Sequence, residues 1–103
     1  MSASVPASSV VLRGIDARTF TEMESFVKDL EARPVERLLR DLPELADLPL
    51  TKVSLVSYVI AGKYRAAEPE ERQRMRESVA ATFEKLPPSE VRERVAVILD
   101  RLR

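Results

Sequence analysis

The most apolar stretch of this chain is LTKVSLVSYVIAGKYRAA, residues 50–67. On a helix, its closely spaced apolar side chains would cover most of the circumference: Val53, Leu55, Val56, Tyr58, Val59 and Ile60. A helix that is apolar almost all round is typical of the interior of a bundle. The stretch therefore predicts a central helix against which the other elements pack.

The same stretch is also rich in β-branched and aromatic residues, which suit a buried strand, and periodicity alone does not assign a short apolar run. We favour a helix because Thr51 can cap its start and Gly62 suits a left-handed terminating residue. Basic residues also lie near its end, where the helix dipole favours cations. The alternative is an α+β fold in which residues 51–60 form a strand paired with residues 9–12.

In the helical interpretation, three small residues share one side of the central helix. Ser54, Ser57 and Ala61 follow one another at i, i+3 and i+7, so they form a narrow seam. Either another helix packs closely against this seam, or the seam is a surface left open for a ligand.

The remainder of the chain is predicted to be a flexible segment followed by one helical domain. Residues 1–15 are short of large apolar side chains at their start and are interrupted by Pro6, a composition that does not order itself readily. Residues 16–103 form a single domain of ordinary size. We expect an all-α, compact bundle of four to five helices.

Four further segments carry helical spacing or capping signals. The first begins at Asp16 or at Thr19, which matches a capping box with Glu22, and ends near Ala32. A short helix follows from Val35 to Leu42, and the prolines at 43 and 49 limit the next segment to at most one helical turn. Proline also marks the start of the helix that follows the central stretch, at Pro69, and Ser89 caps the last helix.

The composition excludes several kinds of chemistry. The chain has no cysteine and no histidine, which removes disulfides, thiolate nucleophiles and the commonest general base and metal ligand. The remaining reactive side chains show no catalytic spacing. With only Gly14 and Gly62, the chain also lacks a glycine-rich phosphate loop. We therefore expect a non-enzymatic protein with no cofactor and no metal site.

Charge is balanced over the whole chain but not along it. Seventeen basic residues match seventeen acidic ones, so the overall field should attract neither polyanions nor polycations strongly. Residues 16–50 carry nine acids and five bases, whereas residues 51–103 carry eight acids and eleven bases. No run approaches the length that spans a bilayer, and we expect a cytoplasmic protein without a membrane anchor.

One local pattern points towards DNA. The segment VSYVIAGKYR, Val56 to Arg65, resembles the end of the recognition helix in helix-turn-helix repressors of the phage-repressor and lactose-repressor type. In those families a Val-Ser-x-Val-Leu-x-Gly-Lys pattern closes the helix that lies in the major groove. The resemblance implies that Lys52, Ser54 and Ser57 face the groove.

Two functions remain open at this point. The favoured one is a protein-interaction or regulatory module that buries apolar helix surface against a protein partner or a second copy of itself. Its expected contact residues are Val97 and Leu99, which widen the apolar face of the last helix, and the cluster Lys63, Tyr64 and Arg65, because tyrosine and arginine are enriched in binding hot spots. The alternative is a DNA-binding transcriptional regulator with its recognition helix near residues 51–61.

Overall fold

The computed structural model describes residues 17–103, and over this range the chain is all-α with no strand. The predicted fold class is confirmed. Six helices replace the expected four to five, because the second helix ends at Arg40 and a separate one-turn helix, Leu42–Leu45, carries Pro43 in its first turn. The helices are α1 (Ala17–Ala32), α2 (Val35–Arg40), α3 (Leu42–Leu45), α4 (Leu50–Ala66), α5 (Pro69–Lys85) and α6 (Glu90–Arg101).

The predicted central helix is α4, and the alternative that residues 51–60 form a strand is wrong. The flexible segment 1–15 and the other half of the proposed strand pair, residues 9–12, lie outside the described residues. One side of α4 enters the core with Val53, Val56, Val59 and Ile60. The opposite side is open, since Tyr58 is 62% exposed. The helix is therefore apolar nearly all round but buried on one side, which leaves apolar surface available.

Both ends of α4 differ from the prediction. The helix begins one residue before Thr51, after the extended residue Pro49, so Thr51 lies in the first turn and is not the cap. The helix also continues through Gly62, which has no left-handed conformation. It ends at Ala66 because Glu68 precedes Pro69, and a residue before proline is driven out of the helical region.

The other helices begin and end largely where the sequence signals placed them. Pro69 occupies the first turn of α5. Ser89 caps α6, and its Oγ accepts a hydrogen bond of 3.2 Å from the backbone N–H of Arg92. The first helix runs from Ala17 to Ala32, in agreement with a start near Asp16, a residue that itself lies outside the described range. Thr19 is therefore a residue of the first turn and not the start of a capping box.

The core lies where α4 meets the remaining helices. Helix α4 packs against α1, α2, α5 and α6. The largest completely buried side chains come from all six helices and from the residue after α6: Leu30, Leu38, Leu42, Val56, Ile60, Met75, Val79, Val95, Ile98 and Leu102. Because α4 supplies one side only, two surfaces are left beside it, one along α1 and one along α6.

Candidate functional site

The larger of these surfaces is an apolar groove between α1 and α4, which we call the Phe20 groove. Phe20, Met23 and Val27 stand at three- and four-residue steps on α1, so they share one side of that helix. Leu55 of α4 forms the opposite wall. The groove has a volume of about 550 Å³. Met23, Val27 and Leu55 are half-buried, whereas Phe20 is 61% exposed.

Charged side chains border the groove on the α1 side. Glu24, Lys28 and Glu31 line it together with the apolar residues, and all three are exposed. They alternate in sign along the helix. An apolar floor with a charged border suits the apolar side of an amphipathic helix, whose polar residues can meet the border charges.

Phe20 lies on the apolar side of α1, yet its side chain is largely exposed. The spacing does put Phe20, Met23 and Val27 on one side. Only Leu30, near the end of α1, is completely buried. The residues of α4 that face Phe20 do not cover its ring. The sequence of α1 alone could not predict this.

The predicted contact residues of the last helix separate into two environments. Val97 is 58% exposed. Leu99 is half-buried and packs against the core. The structure thus leaves Val97 available for contact with a partner, whereas Leu99 already has an intramolecular role.

In the predicted contact cluster Lys63, Tyr64 and Arg65, only Arg65 is exposed, and Tyr64 already has partners within the chain. Its half-buried ring packs against the core and lies 5.8 Å from the guanidinium carbons of both Arg72 and Arg76. Arg76 also donates a hydrogen bond to the Tyr64 hydroxyl. Lys63 Nζ donates to the backbone carbonyl of Glu31 at 2.9 Å, so it joins α4 to the end of α1. A partner role for the cluster stays a prediction.

The three residues that the repressor resemblance assigned to DNA do not share a surface. Lys52 is exposed and lies 5.4 Å from the centre of the Phe26 ring of α1. Ser54 lies on the other side of α4, against α6. Ser57 is 6% exposed. Contact with bases in a DNA groove needs exposed side chains on one face of a helix. These three positions therefore do not form a DNA-contacting surface together.

Residues 17–103 contain no group of three or more acidic side chains that could hold a metal ion. In the same range, no helix has the length and apolar character required to cross a membrane. Comparison of the chain with protein-family models, curated proteins and solved structures gives no match in any of the three.

Proposed function

We propose that this chain is a non-enzymatic protein-interaction module that binds an amphipathic helix of a partner protein in the Phe20 groove. The exposed ring of Phe20 beside a floor of half-buried apolar side chains is the observation that supports it. An exposed aromatic side chain contributes little to the stability of its own chain. Its burial beneath a partner would stabilise a complex.

The magnitude of that stabilisation follows from the exposure of Phe20. Complete burial of a large apolar side chain contributes about 1.5–3 kcal/mol relative to full exposure. With 61% of Phe20 exposed, a partner can recover roughly 1–2 kcal/mol from this ring alone. Met23, Val27 and Leu55 extend the apolar contact on either side. Aromatic anchors of this kind typically dominate an interface.

The border charges set the orientation of the partner. Glu24 and Glu31 are repelled by acidic residues and attracted by basic ones, while Lys28 between them favours an acid. Exposed charges of this kind add little affinity, but they disfavour the wrong register. The groove therefore fits a helix with an apolar side bordered by bases on either side of one acid.

Site-specific photo-crosslinking tests the proposal in cells of the native host. The chain offers a matched pair, because Phe20 and Tyr58 are both aromatic and almost equally exposed, yet only Phe20 lines the groove. Benzoyl-phenylalanine at position 20 should crosslink a defined apolar helix of a partner protein, whereas the same group at position 58 should not. With the purified partner, Phe20→Ser should weaken binding by about 5- to 30-fold, the equivalent of 1–2 kcal/mol. Tyr58→Ser should leave binding unchanged.

Other outcomes point to other functions. If position 20 crosslinks a second copy of the chain and Phe20→Ser lowers the sedimenting mass, the partner is the protein itself. If positions 20 and 58 crosslink the same proteins with equal yield, the Phe20 groove is not the binding surface. If the parent protein retards a DNA fragment in a salt-dependent manner and Lys52→Gln abolishes this, the DNA-binding alternative is supported.

A further inference from the structure

The second surface beside α4 is a small cleft between α4 and α6, which we call the Ser57 cleft. It has a volume of about 120 Å³ and shares no residue with the Phe20 groove. Leu50 and Val53 form its α4 wall, and Val97 and Ile98 form its α6 wall. Leu50 and Val97 are largely exposed at its edge. The walls therefore suit a short aliphatic group.

Ser57, which also lines the cleft, carries a buried hydroxyl without a partner. The residue is only 6% exposed, and its Oγ makes no hydrogen bond within the described part of the chain. A helical serine commonly bonds to the carbonyl four residues earlier, here that of Val53, but this bond is not formed. A buried polar group usually has a partner because leaving it without one is costly. The oxygen is covered in the unliganded chain, so a ligand with a polar end would supply that partner by opening the floor of the cleft.

A cation also lines the cleft. Arg94 lies at the Leu50 end, where it donates to the carbonyl of Leu48. Arg101, about two turns further along α6, lines the cleft as Ser57 does. Its exposed guanidinium has no hydrogen-bond or ion-pair partner among residues 17–103.

We propose that the Ser57 cleft binds a short aliphatic carboxylate. The methylene groups pack between the apolar walls, and the carboxylate accepts a hydrogen bond from Ser57 Oγ and a charge-assisted one from the Arg101 guanidinium. A cavity of about 150 Å³ holds benzene, so the Ser57 cleft takes a ligand of about five or six heavy atoms. A glutamate side chain of a bound protein and a free acid such as butyrate present this same chemistry.

Titration of the isotope-labelled full chain, followed by NMR at constant ionic strength, tests the proposal. Sodium butyrate is compared with butyramide, which has the same shape without the charge. Blocked glutamate, N-acetyl-glutamate N-methylamide, is compared with the corresponding glutamine compound. We expect saturable shifts of the backbone amides of residues 53–57 and 97–101 with a millimolar dissociation constant for the carboxylates. The amides should bind at least about 10-fold more weakly, because charge-assisted hydrogen bonds are lost.

Two variants and a matched control assign the binding to the proposed groups. Ser57→Ala should weaken carboxylate binding about 2- to 12-fold, the range of one hydrogen bond. The variant removes an unsatisfied hydroxyl, so it should melt no lower than the parent and the loss is not one of folding. Arg101→Gln should weaken binding by about 10-fold or more. Arg103→Gln, which makes the same charge change outside the cleft, should not.

The comparison of ligands separates the two sources. Binding of butyrate without blocked glutamate identifies a free acid as the ligand, and binding of blocked glutamate identifies a side chain of a protein. Either result supports the carboxylate site. Equal shifts from butyrate and butyramide, or equal affinities of the Arg101→Gln and Arg103→Gln variants, would overturn it. The outcome does not depend on whether the Phe20 groove binds a helix.

Discussion

Replacing Arg94 should destabilise the fold, because its guanidinium joins two distant parts of the chain. Its Nη1 donates to the backbone carbonyls of Ala46 at 3.1 Å and Leu48 at 2.9 Å, so α6 is joined to the connection between α3 and α4. Its Nη2 contacts Glu90 at 2.9 Å. The side chain of Arg94 is 20% exposed and that of Glu90 is 79% exposed. The two carbonyl contacts are therefore well shielded, while the ion pair is open to solvent.

These contacts allow the loss of stability to be estimated. A hydrogen bond from a charged donor contributes about 1.5–3 kcal/mol, and partial exposure lowers the sum of two such bonds to roughly 2–4 kcal/mol. The exposed pair with Glu90 contributes about 0.5 kcal/mol or less. Arg94→Met keeps the length of the side chain and removes the donors. It should lower the free energy of unfolding by about 2–4 kcal/mol and the melting temperature by at least about 8 °C.

Urea denaturation of the parent, Arg94→Met and Glu90→Gln separates the two contributions, because Glu90→Gln removes the ion pair and leaves the carbonyl contacts intact. Glu90→Gln should cost about 0.5 kcal/mol or less. If Arg94→Met is no more destabilising than Glu90→Gln, the carbonyl contacts do not stabilise the fold and the reasoning fails.

Three further substitutions test local features by thermal or urea denaturation. Gly62→Ala should raise stability by about 0.5–1 kcal/mol, because Gly62 is inside α4 and an added Cβ meets nothing within 4 Å; a loss would show that the glycine is needed at this position. Tyr64→Phe should cost about 0.5–1.5 kcal/mol through the hydrogen bond from Arg76, and no change would mean that water replaces it. Ser89→Ala should cost about 1 kcal/mol as the cap of α6 is lost, whereas the exposed Ser25→Ala on α1 should not.

From the sequence alone, most of the candidate site can be predicted only as sets of residues that share one side of a helix. The spacing of Phe20, Met23 and Val27 placed them on one side of α1, and the seam of Ser54 and Ser57 was recognised on α4. Whether a face is covered depends on residues far away in the chain. Leu55 borders Phe20 without covering it, and Ile98 meets the seam without satisfying Ser57.

The sequence by itself determined the helical class and most helix boundaries, because those depend on local signals. Pro69 and Ser89 act on the backbone within one turn of their own position. The spacing of apolar residues predicts a helix without any knowledge of what packs against it. Gly62 shows the limit of such local signals. A glycine can end a helix, but only where the following residues leave the helix, and here the helix continues to Ala66. The tertiary structure alone decided which apolar side chains stay exposed and that Arg94 reaches carbonyls nearly fifty residues away. Burial and long-range hydrogen bonds arise from the packing of whole helices, and the angles at which helices pack are not encoded in any single one of them.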